Sequence, residues 1–131
     1  MQKLDLTQFY LELEHEIKRL SQSTVVIYRD AIREDAQQTI SELKPDIDTW
    51  VSQLSQRSIA CYEIESLLES KREQLRLPRL KNKGVSNGQL EDFKNDILRT
   101  IAKAILNTYL NSLFRSQPSG NTKTLKKENI F

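Results

Sequence analysis

The chain contains few of the residues that form disulfides, bind metals or make turns. Its 131 residues include one cysteine, one histidine, three glycines and three prolines. Cys61 alone cannot form an internal disulfide or a cysteine-based metal site. Because sheet proteins need many turn residues, the scarcity of glycine and proline favours helices.

Long apolar runs are also absent. No stretch of about 18 apolar residues is present that could cross a bilayer. The N-terminal segment reaches Asp5 at once and lacks the apolar run of a signal peptide. We therefore expect a soluble, cytoplasmic protein with no membrane contact.

The net charge is small, but it is distributed unevenly. The total is +2, yet residues 1–70 carry 7 basic and 13 acidic groups, residues 71–83 carry 6 and 1, and residues 84–131 carry 7 and 4. An acidic N-terminal part and a basic C-terminal part of the sequence indicate either a docking face or self-complementary contacts.

The first two predicted helices follow from apolar residues at steps of three and four. The first covers about residues 6–20, with Asp5 as its cap and Gln8 as the capping-box partner. The second begins at the sequence VVIY (25–28), which has strand propensity but is followed by helical spacing. It ends near residue 43, because Pro45 disfavours continuation.

The third and fourth predicted helices are longer. The third covers about residues 46–76, or about 46 Å. Arg57 falls in its apolar stripe, so either the helix breaks near residues 52–58 or Arg57 meets a carboxylate on a neighbouring helix. The fourth covers about residues 87–114, with Ser86 and Gln89 as a capping box.

These elements predict an all-α fold. We expect a four-helix bundle with one long third helix in a domain of residues 1–115. Residues 116–131 are polar, and we expect them to form a flexible C-terminal tail.

No set of residues indicates catalysis. Glu12 and His15 have the Glu-x-x-His spacing of di-iron bundles, but such a site needs a second histidine, and His15 is predicted to face solvent. Cys61 lacks a nearby base and is predicted to be a buried, small apolar residue. Asp46 and Asp48 suit the start of a helix, where acids complement the dipole. The sequence has no glycine-rich phosphate loop. We therefore expect no enzyme, no cofactor and no metal.

The segment LESKREQLRLPRLKNKG (68–84) is the strongest charged feature. Phosphate contacts there would make nucleic-acid binding salt-dependent, although no aromatic residue lies within it to stack on bases. An anionic protein partner is another interpretation. A third is a solvated helix end, since basic groups there suit the dipole without any ligand. The candidate partner-binding or anion-binding residues are Lys71, Arg72, Arg76, Arg79, Lys81 and Lys83.

The helices carry more apolar faces than a small bundle is expected to cover. This predicts a homodimer or a stable protein partner, and the alternative is a bundle that wraps around a central fourth helix. The preferred function is a non-enzymatic helical protein–protein interaction module: an adaptor, an assembly factor or a small regulatory subunit. The alternative function is a nucleic-acid-binding helical protein that uses residues 71–83. The predicted apolar interface comprises Val51, Ile59, Tyr62, Leu106, Leu110, Leu113 and Phe114.

Overall fold

The computed structural model describes residues 6–115, and the side chains of residues 6–110. All regular elements in this part of the chain are helical, so the all-α prediction is confirmed. The predicted cap Asp5 and the predicted flexible tail at 116–131 lie outside the described residues. Short 3-10 turns occupy Val26–Tyr28 and Arg72–Gln74. The five α-helices are α1 (Thr7–Gln22), α2 (Arg29–Ser55), α3 (Glu63–Glu69), α4 (Pro78–Asn82) and α5 (Asn87–Arg115).

Helix α2 passes through Pro45 without interruption. The predictions of a helix that ends near residue 43 and of a long third helix over 46–76 are therefore wrong. A proline within a helix removes one hydrogen bond, to the carbonyl four residues earlier. That carbonyl belongs to Ser41, which is exposed, so water can replace the missing donor. Leu43 and Ile47, on either side of the proline, are buried and hold both halves of α2 on the core.

The chain breaks after Ser55, which is the first of the two alternatives expected for Arg57. The N–H of Arg57 donates to the carbonyl of Leu54, and the N–H of Ser58 donates to that of Gln53. This is a Schellman motif, in which the residue after the cap takes a left-handed conformation that glycine usually supplies. Arg57 takes it here, with φ of 63°. The predicted long third helix is thereby reduced to the seven residues of α3, and the described residues form five α-helices instead of four.

Helix α5 is central and packs against α1, α2 and α3. Ile97, Ile101 and Ile105 are fully buried along it. Its predicted capping box is confirmed: Ser86 Oγ accepts the N–H of Gln89 at 3.2 Å, and Gln89 Oε1 accepts the N–H of Ser86 at 3.2 Å. None of the described helices is both long enough and apolar enough to cross a lipid bilayer.

Helix α4 is held on α2 by one buried carboxylate. Asp35 is 0% exposed. Its Oδ2 accepts the N–H of Leu80 at 2.9 Å, and its Oδ1 accepts the N–H of Arg79 at 3.2 Å. These two amides belong to the first turn of α4, whose N–H groups have no partner within the helix. Asp35 therefore acts as a helix cap supplied from a distant part of the chain.

Candidate interaction surface

Two of the predicted basic residues connect the segment 71–83 to the bundle. Lys71 Nζ lies 3.2 Å from a carboxylate oxygen of Asp46 on α2. The Arg72 guanidinium lies 2.7 Å from Glu91 and donates to the side-chain oxygen of Asn95 at 2.9 Å, both on α5. These two cations are already paired within the chain, which lowers their availability to an external anion.

A third basic residue, Arg79, is paired even more extensively. Its guanidinium lies 3.1 Å from Glu34 and 3.2 Å from Asp35, and it donates to Gln38 at 2.8 Å. The remaining three predicted residues are exposed and make no ion pair with any described residue: Arg76, Lys81 and Lys83. The structure thus divides the six predicted basic residues into a paired group and a free group.

The predicted apolar interface is also divided. Val51 is only 2% exposed and belongs to the core, so its placement on a surplus face is wrong. The side chains of Leu113 and Phe114 lie outside the described residues. The other four differ in exposure: Tyr62 is 81% exposed, Leu110 is 45% exposed, and Ile59 and Leu106 are half-buried.

A groove of about 510 Å³ runs between α3 and α5. Leu68, Leu98 and Ala102 form its apolar floor, and all three are buried. Residues 106 and 110 of α5 follow 99 and 103 at helical steps of three and four, so they share one side of that helix. We call this surface the α3–α5 face; its residues are Tyr62, Glu65, Glu69, Arg99, Lys103, Leu106 and Leu110.

The two walls of this groove carry opposite charges. Glu65 and Glu69 line it from α3, whereas Arg99 and Lys103 line it from α5. Glu65 and Arg99 make no ion pair with a described residue, whereas a carboxylate oxygen of Glu69 lies 3.9 Å from Arg72 Nε. Lys103 lies 3.6 Å from Glu16 on α1. The groove therefore keeps its acidic and basic walls apart.

Residues 25–27 form a second exposed apolar surface, which the sequence reasoning missed. Val25, Val26 and Ile27 are 64%, 68% and 63% exposed in the turn between α1 and α2. The second helix was predicted to begin at residues 25–28, but α2 begins only at Arg29. Three adjacent apolar residues, with no helical spacing among them, were the signal that could have revealed this surface.

The two residues considered for catalysis, His15 and Cys61, lie on different elements, on α1 and just before α3. His15 is exposed, as predicted, whereas Cys61 is half-buried against the core instead of fully buried. Among the described residues, no group of three or more histidine, cysteine, aspartate or glutamate side chains is arranged to hold a metal ion.

Two other titratable groups depart from their usual behaviour. Burial raises the pKa of Tyr10, and the hydrogen bond that Tyr10 Oη donates to Asp48 at 2.6 Å adds to the effect. Burial also raises the pKa of Asp96; the positive charge of Arg99 opposes this change and the negative charge of Asp92 reinforces it. These two groups lie on different helices, Tyr10 on α1 and Asp96 on α5.

The chain matches no protein-family model, no curated protein and no solved structure. Its function must therefore be inferred from the chemistry of its own surface.

Proposed function

We propose that this chain is a non-enzymatic helical protein–protein interaction module, such as an adaptor, an assembly factor or a small regulatory subunit. It would bind through the α3–α5 face. The observation that supports this proposal is the exposure of Tyr62, which directly precedes α3, and of Leu110, which lies one turn beyond Leu106 of the groove. A cytoplasmic location is part of the proposal, since a lone cysteine does not require an oxidising compartment.

The composition of the face supports this proposal. Interfaces commonly have a buried apolar centre in which tyrosine is enriched, surrounded by a polar rim. Here Leu106 and Leu110 lie on one side of α5, and Tyr62 lies on the α3 side. Full burial of an exposed side chain of this size contributes about 1.5–3 kcal/mol, and Leu110, which is 45% exposed, would contribute less than that.

Paired substitutions test this assignment. We expect Leu110→Lys to abolish the association, because it places a charge in the apolar part of the face. Leu11→Lys is the matched control, since Leu11 is also exposed but lies on α1. The measurement is chemical cross-linking of the purified protein, together with quantitative mass spectrometry of proteins that co-purify from its native cell. An equal yield of complexes from both variants would contradict the proposal.

Nucleic-acid binding remains a second candidate function. The observation that favours it is that Arg76, Lys81 and Lys83 are exposed and unpaired among the described residues. We expect any such binding to be salt-sensitive and to weaken in Arg76→Ala and Lys81→Ala. Fluorescence anisotropy with labelled RNA and DNA at low salt measures this, and the absence of binding there would remove this candidate.

A further inference from the structure

We infer that the partner of the α3–α5 face is a second copy of this chain, bound around a two-fold axis that runs along the groove. This inference rests on the proposed function, since it names the partner that the same face would bind. It is supported by the order of charged and apolar residues along the two walls.

The two walls run in opposite chain directions. Near the start of α5, Glu91 and Asn95 contact Arg72, which follows α3. Near the end of the described side chains, Tyr109 lines a shallow pocket together with Cys61, which precedes α3. Between these two points, Glu69 lies nearer to the level of Arg99 and Glu65 nearer to that of Lys103.

The same antiparallel arrangement places the exposed apolar side chains at one end of the groove. Tyr62 directly follows Cys61, and Leu110 directly follows Tyr109. Tyr62 is therefore at the level of Leu110, beyond the charged residues. From one end of the groove to the other, each wall therefore carries two charged residues and then an exposed apolar residue.

Two-fold symmetry turns this order into a self-complementary surface. In an isologous dimer the same patch from both subunits meets itself. An axis along the groove keeps the level of each residue and exchanges the walls, so Glu69 of one copy faces Arg99 of the other. An axis across the groove would leave each wall opposite its own copy and bring like charges together, which is destabilising.

The apolar end obeys the same rule. With the axis along the groove, Tyr62 of one copy meets Leu110 of the other, and this contact occurs twice in the dimer. Binding of an unrelated protein would not require the two walls of one molecule to complement each other. The match in both charge and apolarity therefore favours a second copy as the occupant.

A charge exchange tests the arrangement. Glu69→Arg gives a groove that is mainly basic, and Arg99→Glu gives one that is mainly acidic. We expect each variant alone to dimerise at least tenfold more weakly, because like charges then meet twice in each dimer. An equimolar mixture restores the affinity, since every contact between the two variants joins opposite charges. Sedimentation equilibrium of the full chain over a range of concentrations measures these constants.

Glu14→Arg is the control, because Glu14 is exposed on α1 and lines a different groove with Arg33 of α2. We expect this variant to dimerise as the wild type does. Circular dichroism of each variant verifies its helical content, and restoration in the mixture shows that both variants remain folded.

Three results would overturn the inference: a wild type that stays monomeric at all concentrations, variants that dimerise as tightly as the wild type, or a mixture that gains no affinity. A monomeric wild type that still loses a co-purifying protein through Leu110→Lys, but not through Leu11→Lys, would refute the dimer and leave the proposed function intact. If Leu110→Lys changes neither self-association nor the binding of any partner, both the dimer and the proposed function are refuted.

Discussion

Truncation of the small side chain of Asp35 should lower the stability of the fold strongly. Its carboxylate is fully buried and accepts the N–H groups of Leu80 and Arg79. In Asp35→Ala both amides lose their acceptor. The α4 helix would then begin with unsatisfied donors against the surface of α2.

The size of the effect follows from how well water can reach each donor. A buried donor left without a partner costs about 1–3 kcal/mol. Leu80 is fully buried, so we assign its amide about 2 kcal/mol, and the partly buried amide of Arg79 about 1 kcal/mol. The guanidinium of Arg79 is half-exposed and keeps Glu34 and Gln38, so it adds little. We expect Asp35→Ala to lower the free energy of unfolding by about 3 kcal/mol, or the Tm by about 10 °C.

Arg79→Ala is the matched control. It removes the same ion pair from the other side but leaves both amide bonds to Asp35 in place. Because the guanidinium is half-exposed, its ion pairs should contribute at most about 1 kcal/mol. Asp35→Asn should be intermediate, since one oxygen remains to accept the N–H of Leu80.

Urea titration provides the measurement. Far-ultraviolet circular dichroism follows the helices, and fluorescence of the buried Trp50, the single tryptophan of the chain, follows packing around α2. Protein concentration must be fixed, because self-association would add to the apparent stability. If Asp35→Ala lies within about 1 kcal/mol of the wild type at an unchanged slope, or if Arg79→Ala is equally damaging, the capping argument is wrong.

Three further changes should have measurable effects. Tyr10→Phe removes the hydrogen bond to Asp48 and should cost about 1 kcal/mol in urea titration. The pKa of Tyr10 is raised on folding, so the wild type should lose stability as the pH rises above about 10, and it should lose more than this variant. An equal loss of stability in both proteins at alkaline pH would contradict this. Pro45→Ala restores the helical bond to Ser41 and should raise the Tm, with a gain of about 1–3 kcal/mol, and an unchanged or lower Tm would show that α2 is not strained there. Asp96→Asn should raise stability at neutral pH by at most about 0.5 kcal/mol. A raised carboxyl pKa makes the folded state less stable as the pH rises through the carboxyl titration range, so this advantage should disappear in acid, where both states are protonated; a gain that persists in acid would refute it.

Sequence patterns predicted the features that depend on near neighbours. The stripe of α1 and the capping box at Ser86 and Gln89 were both correct, because each depends on residues within a turn or two. The break after Ser55 was one of the two alternatives that Arg57 suggested by its position in an apolar stripe, although the helix was predicted to continue to residue 76.

Features that depend on distant contacts were missed. Pro45 is a strong local signal for a helix end, but packing of Leu43 and Ile47 on the core outweighs it. The cap that Asp35 supplies to Leu80 has no local signature, because 45 residues separate them. Val51 was assigned to an exposed face because the helix that contains it was given the wrong limits.

The proposed interaction surface was predictable only in part. Apolar character identified Tyr62 and Leu110, and composition identified the basic segment. Sequence could not show that Lys71, Arg72 and Arg79 are paired internally, or that Glu65 and Glu69 line the same groove as Arg99. The groove depends on the antiparallel packing of α3 and α5, and the pairings of Lys71 and Arg79 depend on contacts with α2.

The attachment of α4 to α2 also bears on the order in which the chain folds. Helices of five residues do not form on their own in water, so α4 can form only after α2 has presented its carboxylate. The amides of Arg79 and Leu80 should consequently resist hydrogen exchange far longer than the length of their helix would suggest. Their exchange rates would report the assembly of the whole bundle, not the fraying of a short segment.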